Sequence, residues 1–251
     1  MSDKNKNPIY AAIKQQKPFV YFHTLLFNEN ILKIAARAHK SLEMDVSMNP
    51  QGDIYIGHPY EFYKYKNMIP PPHNLPFLTL LDEIKKANLY LVLDCKDVRA
   101  LPVLREVVKD FGAENVLFHA WTTALQFKPY PSEIAVEPHW VYEDLPLEDL
   151  LNLKEATGVP MILSARGLTR KRLDADPKIV DHITSLLSGK VESVNLNLPD
   201  GEAPSQTVMD KLLKHGLLTW LNVDKVPPSE FPKMYIGISD HLTLTSDPKD
   251  Y

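Results

Sequence analysis

The amino-acid sequence predicts an α/β protein folded as a (β/α)8 barrel, and three observations support this fold class. Short apolar runs alternate with longer segments of helical period, which is typical of βα units around a parallel sheet. Eight such runs occur within 251 residues, the usual size of this barrel. Polar side chains follow nearly every run, where a barrel gathers such groups at one mouth. A doubly wound open sheet has the same rhythm, and length alone does not separate the two folds.

Each predicted strand is a short apolar run bounded by polar or turn-forming residues. In chain order, the predicted strands are residues 19–23, 42–47, 89–94, 116–119, 134–137, 160–164, 193–198 and 217–222. Apolar residues at helical spacing predict helices over residues 30–40, 79–87, 98–111, 147–157, 178–187 and 206–215. Several of these helices are followed by a glycine, a common helix stop, at Gly112, Gly158, Gly189 and Gly216.

Two segments after the second predicted strand depart from the βα rhythm. Residues 48–53 have the composition of a turn, and residues 54–58 predict a short return strand, so that the pair forms a β-hairpin. Residues 59–76 are rich in aromatic residues, lysine and proline and show no helical period. A long loop of this kind at one end of a barrel is usually either a lid or disordered.

Composition and charge exclude several classes of function. Acidic residues exceed basic ones by 32 to 28, so no broad basic surface is available for a nucleic-acid partner. Residues 1–16 are polar, without the apolar core of a secretory signal, and no apolar stretch is long enough for a transmembrane helix. The single cysteine, Cys95, fits a reducing compartment. We expect a cytoplasmic protein with a flexible segment over residues 1–16 and one domain over residues 17–251; the oligomeric state stays open.

A pair of carboxylates marks the second predicted strand. Glu43 and Asp45 are two residues apart and share one face, whereas Leu42, Met44 and Val46 face the opposite, apolar layer. Close like charges raise one another's pKa unless a cation lies between them, and such oxygen ligands suit Mg2+ or Ca2+. A solvent-facing acidic pair on an edge strand would have the same spacing.

A third carboxylate ends the next predicted strand. Asp94 follows five apolar residues, and Lys96 lies on the same face two positions later. A carboxylate trio can hold a divalent ion and leave positions open for phosphate oxygens, while a nearby lysine neutralises a further phosphate oxygen. Alternatively, Asp94 is the N-cap of the following helix.

Two histidines flank the acidic pair. His23 ends the first predicted strand, and His58 ends the hairpin that follows Asp45. Imidazole transfers protons in both directions near neutral pH, so two of them can divide the work of a base and an acid at a phosphodiester. A hydrogen-bonded structural role is the alternative for each histidine taken alone.

Several motifs occur in an order that resembles the glycerophosphodiester phosphodiesterase family. The second predicted strand and its hairpin supply Glu-x-Asp, a turn with glycine, and a strand that ends in histidine. His23 and the pair Glu29-Asn30 resemble the family's first histidine and the start of its first helix. The remaining matching segments are residues 78–84, 92–96, 218–224 and 239–248.

The resemblance implies a barrel of the phospholipase C-like phosphodiesterase type. It implies a divalent metal held by Glu43, Asp45 and Asp94, with His23 and His58 as the acid–base pair. Asp94-x-Lys96 is closer to the related sphingomyelinase D enzymes, since the glycerophosphodiesterases usually have glutamate at that place. Those relatives suggest attack by a hydroxyl of the substrate, which gives a cyclic phosphate.

The chain also departs from the family pattern. Thr24 stands where the family has a phosphate-binding arginine, and Pro59 stands where it has an aspartate. Arg166 or Lys96, both near strand ends, is the candidate replacement for the charge of the arginine. The resemblance places Trp220 against the alcohol portion of the substrate, whereas its apolar neighbours predict a core position.

Together these observations predict a metal-dependent phosphodiesterase, a phosphoric diester hydrolase or a related lyase. The expected substrate is a small-molecule or lipid phosphodiester, of the glycerophosphodiester or lysophospholipid type, and the expected cofactor is Mg2+ or Ca2+. The departures at Thr24 and Pro59 support an alternative: a catalytically degenerate barrel that binds a phosphorylated ligand without turnover.

Overall fold

The computed structural model describes residues 19–23, 36, 41–68, 77–199, 201–222 and 237–241. The strands within these residues are β1 (Phe19–His23), β2 (Ser41–Met48), β3 (Ile54–Ile56), β4 (Tyr90–Cys95), β5 (Val116–Gln126), β6 (Asp144–Leu145), β7 (Met161–Arg166), β8 (Ser193–Asn195), β9 (Leu218–Asn222) and β10 (Gly237–His241). The helices are α1 (Tyr60–Tyr65), α2 (Phe77–Lys86), α3 (Leu101–Phe111), α4 (Trp140–Glu143), α5 (Leu147–Thr157), α6 (Arg170–Ala175), α7 (Pro177–Leu187) and α8 (Gln206–Lys214).

Parallel pairing joins eight of the strands in a ring. The order is β1-β10-β9-β8-β7-β5-β4-β2, and β1 also pairs with β2 at Phe22↔Leu42, which returns the sheet to its first strand. The antiparallel strand β3 lies beyond β2, and β6 pairs with β5. The predicted (β/α)8 barrel is therefore confirmed.

The predicted hairpin after the second strand is also confirmed. Strands β2 and β3 pair from Val46↔Ile56 to Met48↔Ile54. Asn49 closes the turn, because its Oδ1 accepts hydrogen bonds from the backbone N–H groups of Gln51 at 2.9 Å and Asp53 at 2.8 Å.

Two sequence predictions near the barrel mouth are wrong. Residues 134–137 form no strand: β5 pairs directly with β7 from Phe118↔Met161, which leaves no place in the sheet between them. The eighth parallel strand is instead β10. Within the predicted irregular loop over 59–76, residues 60–65 form the short helix α1, which begins after Pro59 and buries Tyr63, whereas residues 69–76 lie outside the described residues.

Other predictions fall partly or wholly outside the described residues. This holds for the flexible segment 1–16, for residues 24–30 and 223–224, for the predicted helix over 30–40 apart from Ala36, and for the motif over residues 245–248. No helix among the described residues is both long and apolar enough to span a membrane.

Two apolar layers flank the barrel wall. The larger layer lies between the strands and the helices and includes Leu42, Met44 and Val46, as the alternation of β2 predicts. The smaller layer fills the barrel interior and contains Val92, Leu117, Ile162 and Trp220. Because parallel strands place their carboxyl ends at one mouth, interior side chains further along each strand lie closer to that mouth.

Candidate active site at the carboxyl ends of the strands

Strand register brings three polar side chains together inside the barrel. Asp45 of β2 pairs with Asp94 of β4, and Asp94 pairs with His119 of β5. Glu43 lies two residues before Asp45 on the same strand, and both carboxylates are 0% exposed. This burial excludes the alternative of a solvent-facing acidic pair.

Asp94 is held by two neighbours within the site. Its Oδ2 accepts a hydrogen bond from Lys96 Nζ at 2.6 Å and lies 2.8 Å from His119 Nδ1. The N-cap alternative for Asp94 is wrong, because Asp97 caps the next helical turn by accepting from the backbone N–H of Arg99. The other ring nitrogen of His119 lies 2.6 Å from Ser164 Oγ, which fixes the imidazole between two strands.

Lys96 links the carboxylates of neighbouring strands. Its Nζ lies 3.2 Å from Asp45 Oδ1 in addition to its bond with Asp94. Burial alone would lower the pKa of Lys96, but the charges of Asp45 and Asp94 outweigh burial and raise that pKa well above its usual value. Lys96 therefore carries a fixed positive charge at neutral pH.

The Glu43 carboxyl lies where a negative charge is unfavourable. Burial raises the pKa of its carboxyl well above the usual value, and the nearby charges of Asp45 and Asp94 raise it further, against the opposing effect of Lys96. Three buried carboxylates thus face the positive charge of Lys96. Such a cluster is an unfavourable place for negative charge and a favourable place for a cation.

His58 lies between two carboxylates at the edge of this cluster. Its Nε2 is 3.2 Å from Asp45 Oδ2, its Nδ1 is 2.9 Å from Glu143 Oε1, and its ring stacks on Phe62 with centroids 4.0 Å apart. Burial by itself would lower the pKa of His58, but the charge of Asp45 and the hydrogen bond with Glu143 prevail and raise it above its usual value. The imidazolium form is thereby favoured.

Among the described residues, two carboxylates and two indole rings contact the Arg166 guanidinium. Its Nε donates to Asp144 Oδ1 at 2.8 Å and its Nη2 to Glu143 Oε2 at 3.1 Å. The guanidinium carbon lies 3.8 Å from the centroid of the Trp121 ring and 4.5 Å from that of Trp140. The guanidinium is thus buried among these side chains.

The remaining predicted site residues lie at different depths. Trp220 is buried with Val92, Leu117 and Ile162 in the interior apolar layer, as its core alternative predicts. His23 is the last residue of β1 and pairs in register with His241, one position after the contact of Phe22 with Leu42. The side chain of His23 lies outside what the structure describes.

Sequence reasoning missed Glu143 as a site residue. Glu143 ends the four-residue helix α4, which is too short to show a helical period, and it follows the wrongly predicted strand 134–137. Phe62 was missed for a similar reason, since its segment was predicted to be an irregular loop. His119 ends the predicted strand 116–119, but its contact with Asp94 depends on strand register, which the sequence of a single strand does not reveal.

The donor set fits a divalent cation. Glu43, Asp94 and His119 each offer one ligand atom, and these atoms all lie within 4.8 Å of one another. Asp94 Oδ1 is buried and accepts no hydrogen bond from the described residues. Both nitrogens of His119 already contact Asp94 or Ser164, so carboxylate oxygens are the more accessible donors, and hard oxygen donors suit Mg2+ or Ca2+.

Glu143 gives the fold a specific sensitivity to acid. Burial alone would raise the pKa of its carboxyl, but the hydrogen bond from His58 and the charge of Lys96 lower it from 4.5 to about 2. A carboxyl whose pKa is lower in the folded protein stabilises the fold above pH 4.5, and this contribution is lost as the pH falls toward about 2. We expect the free energy of unfolding of the wild type to exceed that of Glu143→Gln by a margin that shrinks by about 2 kcal/mol between roughly pH 6 and pH 3.

Urea denaturation of both proteins across this pH range measures the margin. A margin that stays constant with pH would contradict the low pKa of Glu143. Glu106→Gln serves as a control, because the Glu106 side chain is 61% exposed and its pairs with Lys109 and Arg105 are solvated.

Comparisons with known proteins establish the fold class. No protein-family model and no curated protein matches the sequence. The structure is similar to that of a candidate glycerophosphodiester phosphodiesterase from Galdieria sulphuraria, with a TM-score of 0.55 and 14% identity over 89% of this chain and 93% of that chain. It is also similar to an HpcH/HpaI aldolase from Desulfitobacterium hafniense DCB-2, with a TM-score of 0.51 and 9% identity over 93% and 90% of the two chains.

A third similar structure is a 2,3-dimethylmalate lyase of the PEP mutase/isocitrate lyase superfamily. Its TM-score is 0.50 and its identity 10%, over 95% of this chain and 78% of that chain. Structural similarity at identities this low shows a shared (β/α)8 barrel, but it does not indicate which reaction this chain catalyses.

Proposed function

We propose that this barrel is a divalent-metal-dependent phosphodiesterase that cleaves a glycerophosphodiester or a lysophospholipid-type phosphodiester. The observation that carries the proposal is the buried cluster of Glu43, Asp45 and Asp94 beside Lys96, with His58 in contact with Asp45. The similar barrels include a candidate phosphodiesterase, an aldolase and a lyase, so the proposal depends on the site and not on the fold.

Glu43, Asp45 and Asp94 are the proposed metal-holding residues, with His119 as the neighbour that holds Asp94. A bound Mg2+ or Ca2+ would supply Lewis-acid polarisation of a phosphoryl oxygen and charge stabilisation in the transition state. Burial, together with the charges of Asp45 and Asp94, raises the pKa of Glu43, and a cation among the carboxylates would oppose this rise by stabilising the ionised form.

Lys96 and His58 are the two side chains proposed to act on the phosphodiester. The ammonium of Lys96, fixed between Asp45 and Asp94, neutralises charge on a phosphate oxygen. His58, whose raised pKa favours the imidazolium, donates the proton on Nε2 to the departing alcohol oxygen as the P–O bond breaks. His23 is the proposed base that takes a proton from the attacking hydroxyl as its oxygen forms the new bond to phosphorus, a role that rests on the family resemblance.

Activity of the purified full-length chain tests this function. Phosphodiesters with different alcohol groups are incubated after chelation and again with added Mg2+ or Ca2+, and phosphorus NMR distinguishes cyclic from hydrolysed products. We expect turnover to need the added ion and to fall at least about a hundredfold in Glu43→Gln and His58→Gln. Glu106→Gln, which removes an exposed carboxylate, is expected to keep wild-type activity.

Two outcomes would oppose the proposal. Turnover that persists under chelation and in both site variants would place the reaction elsewhere. Binding of phosphodiesters by calorimetry without any product would favour the degenerate barrel, to which Thr24 and Pro59 already point.

A further inference from the structure

We infer that Glu143 is the positioning residue of His58 and that Arg166 acts on His58 through Glu143. The effect on catalysis rests on the proposed function, whereas the orientation of the His58 imidazole can be tested without it. It assigns a role to two buried side chains that the proposed reaction does not otherwise use. It also replaces the predicted role of Arg166 as a phosphate contact.

The two oxygens of Glu143 serve different partners. Oε1 lies 2.9 Å from His58 Nδ1, and Oε2 accepts from Arg166 Nη2 at 3.1 Å. Oε1 also lies 3.3 Å from His139 Nε2. The Glu143 side chain is only 4% exposed, so these contacts are made away from bulk water.

The contact at Nδ1 determines the orientation of the ring, because a half-turn about the Cβ–Cγ bond exchanges each ring nitrogen with a ring carbon. Phe62 stacks flat on the His58 ring, at an interplanar angle of 21°, and this contact would look much the same if the ring flipped by half a turn. A carboxylate that accepts from Nδ1–H distinguishes the two orientations, because it fixes the proton on Nδ1 and directs Nε2 toward Asp45. Glu143 therefore selects the orientation in which Nε2 faces the carboxylate cluster.

Arg166 holds Glu143 in place for this task. Its planar guanidinium packs against the rings of Trp121 and Trp140 and donates hydrogen bonds to Asp144 and Glu143. Arg166 donates to Oε2 of Glu143, whereas Oε1 contacts His58. The effect of Arg166 on His58 therefore passes through the Glu143 carboxylate.

Histidine 15N NMR on the labelled full-length protein tests the orientation directly. In the wild type we expect a hydrogen-bonded proton on Nδ1 of His58, assigned by its loss in His58→Gln. In Glu143→Gln this signal is expected to shift or disappear. Glu137→Gln is the matched control, because Glu137 lies just before α4 and its carboxylate contacts His139 and Lys66. The His58 signal is expected to stay unchanged in this control.

Steady-state kinetics separate positioning from substrate binding. We expect Glu143→Gln to lower kcat at least about tenfold while KM changes less than about threefold, because the imidazole is misoriented and the substrate still binds. Arg166→Lys, which keeps the charge but loses the planar fork, is expected to lower kcat less and to shift the same His58 signal.

The outcomes separate this inference from the proposed function. An unchanged His58 signal in Glu143→Gln, or an equal change in Glu137→Gln, overturns the inference whatever the activity. A wild type that turns over no phosphodiester, but whose His58 signal depends on Glu143, supports the positioning and refutes the phosphodiesterase. If Glu143→Gln does not fold, the wild-type spectrum decides, since no protected Nδ1 proton on His58 would overturn the inference.

Discussion

Replacing Arg166 by methionine is expected to lower the free energy of unfolding by about 3–5 kcal/mol. The substitution removes the shared partner of two buried carboxylates, Asp144 at 2.8 Å and Glu143 at 3.1 Å. Glu143 keeps its contact with His58, but Asp144 loses its charged partner. Removing one member of a buried ion pair leaves the other charge desolvated, which costs far more than the pair itself contributes.

Urea denaturation with a cooperative two-state fit measures this loss. Arg170→Met is the matched control, because Arg170 is half exposed and lies 3.8 Å from Asp174. Exposed pairs of this kind contribute at most about 1 kcal/mol. A loss for Arg166→Met no larger than that for Arg170→Met would show that Glu143 and Asp144 are hydrated or neutral in the folded protein.

Replacing Gly167 by alanine is expected to destabilise the barrel by about 3 kcal/mol or more. Gly167 has a φ of +86°, and a Cβ there would lie 2.4 Å from the backbone oxygen of Phe127 and 2.6 Å from Cδ1 of Tyr130. The backbone oxygen cannot move without disturbing the end of β5, because the N–H of Phe127 donates to the Arg166 carbonyl. Left-handed strain and steric overlap therefore act together.

Gly158→Ala separates these two causes. Gly158 ends α5 with a φ of +71°, but a Cβ there would meet no atom within 4 Å. We expect a loss of only about 1 kcal/mol, which reports the left-handed backbone alone. Equal losses at the two glycines in thermal and urea unfolding would contradict the close approach of Phe127 and Gly167.

The fold was largely predictable because its signals are periodic. Strand alternation placed Glu43 and Asp45 on one face, and helical spacing gave α5 its bounds. The prediction failed at residues 134–137, where a short apolar run follows a strand that extends to Gln126. Periodicity describes a segment by itself and does not reveal that β5 and β7 are already paired.

The site was predictable only where it lies on strands. Asp94 and Lys96 were found from their position after an apolar run, and the structure brings them to Asp45. Glu143 could not be found in this way, because it reaches His58 from the short helix α4, 85 residues away in sequence. Tertiary contacts of this kind have no local sequence pattern. The family resemblance pointed to His58 but gave no indication that Glu143 is its hydrogen-bond partner.

Asp45, Asp94 and His119 lie side by side on three neighbouring strands, so the site depends on the length of each strand before these residues. A single residue inserted into β4 ahead of Asp94 would invert every later position of that strand, sending the carboxylate outward among the helices and an apolar side chain inward. Substitutions alter the site one group at a time, whereas a one-residue change in strand length dismantles it at once. Length variation should therefore be confined to the loops.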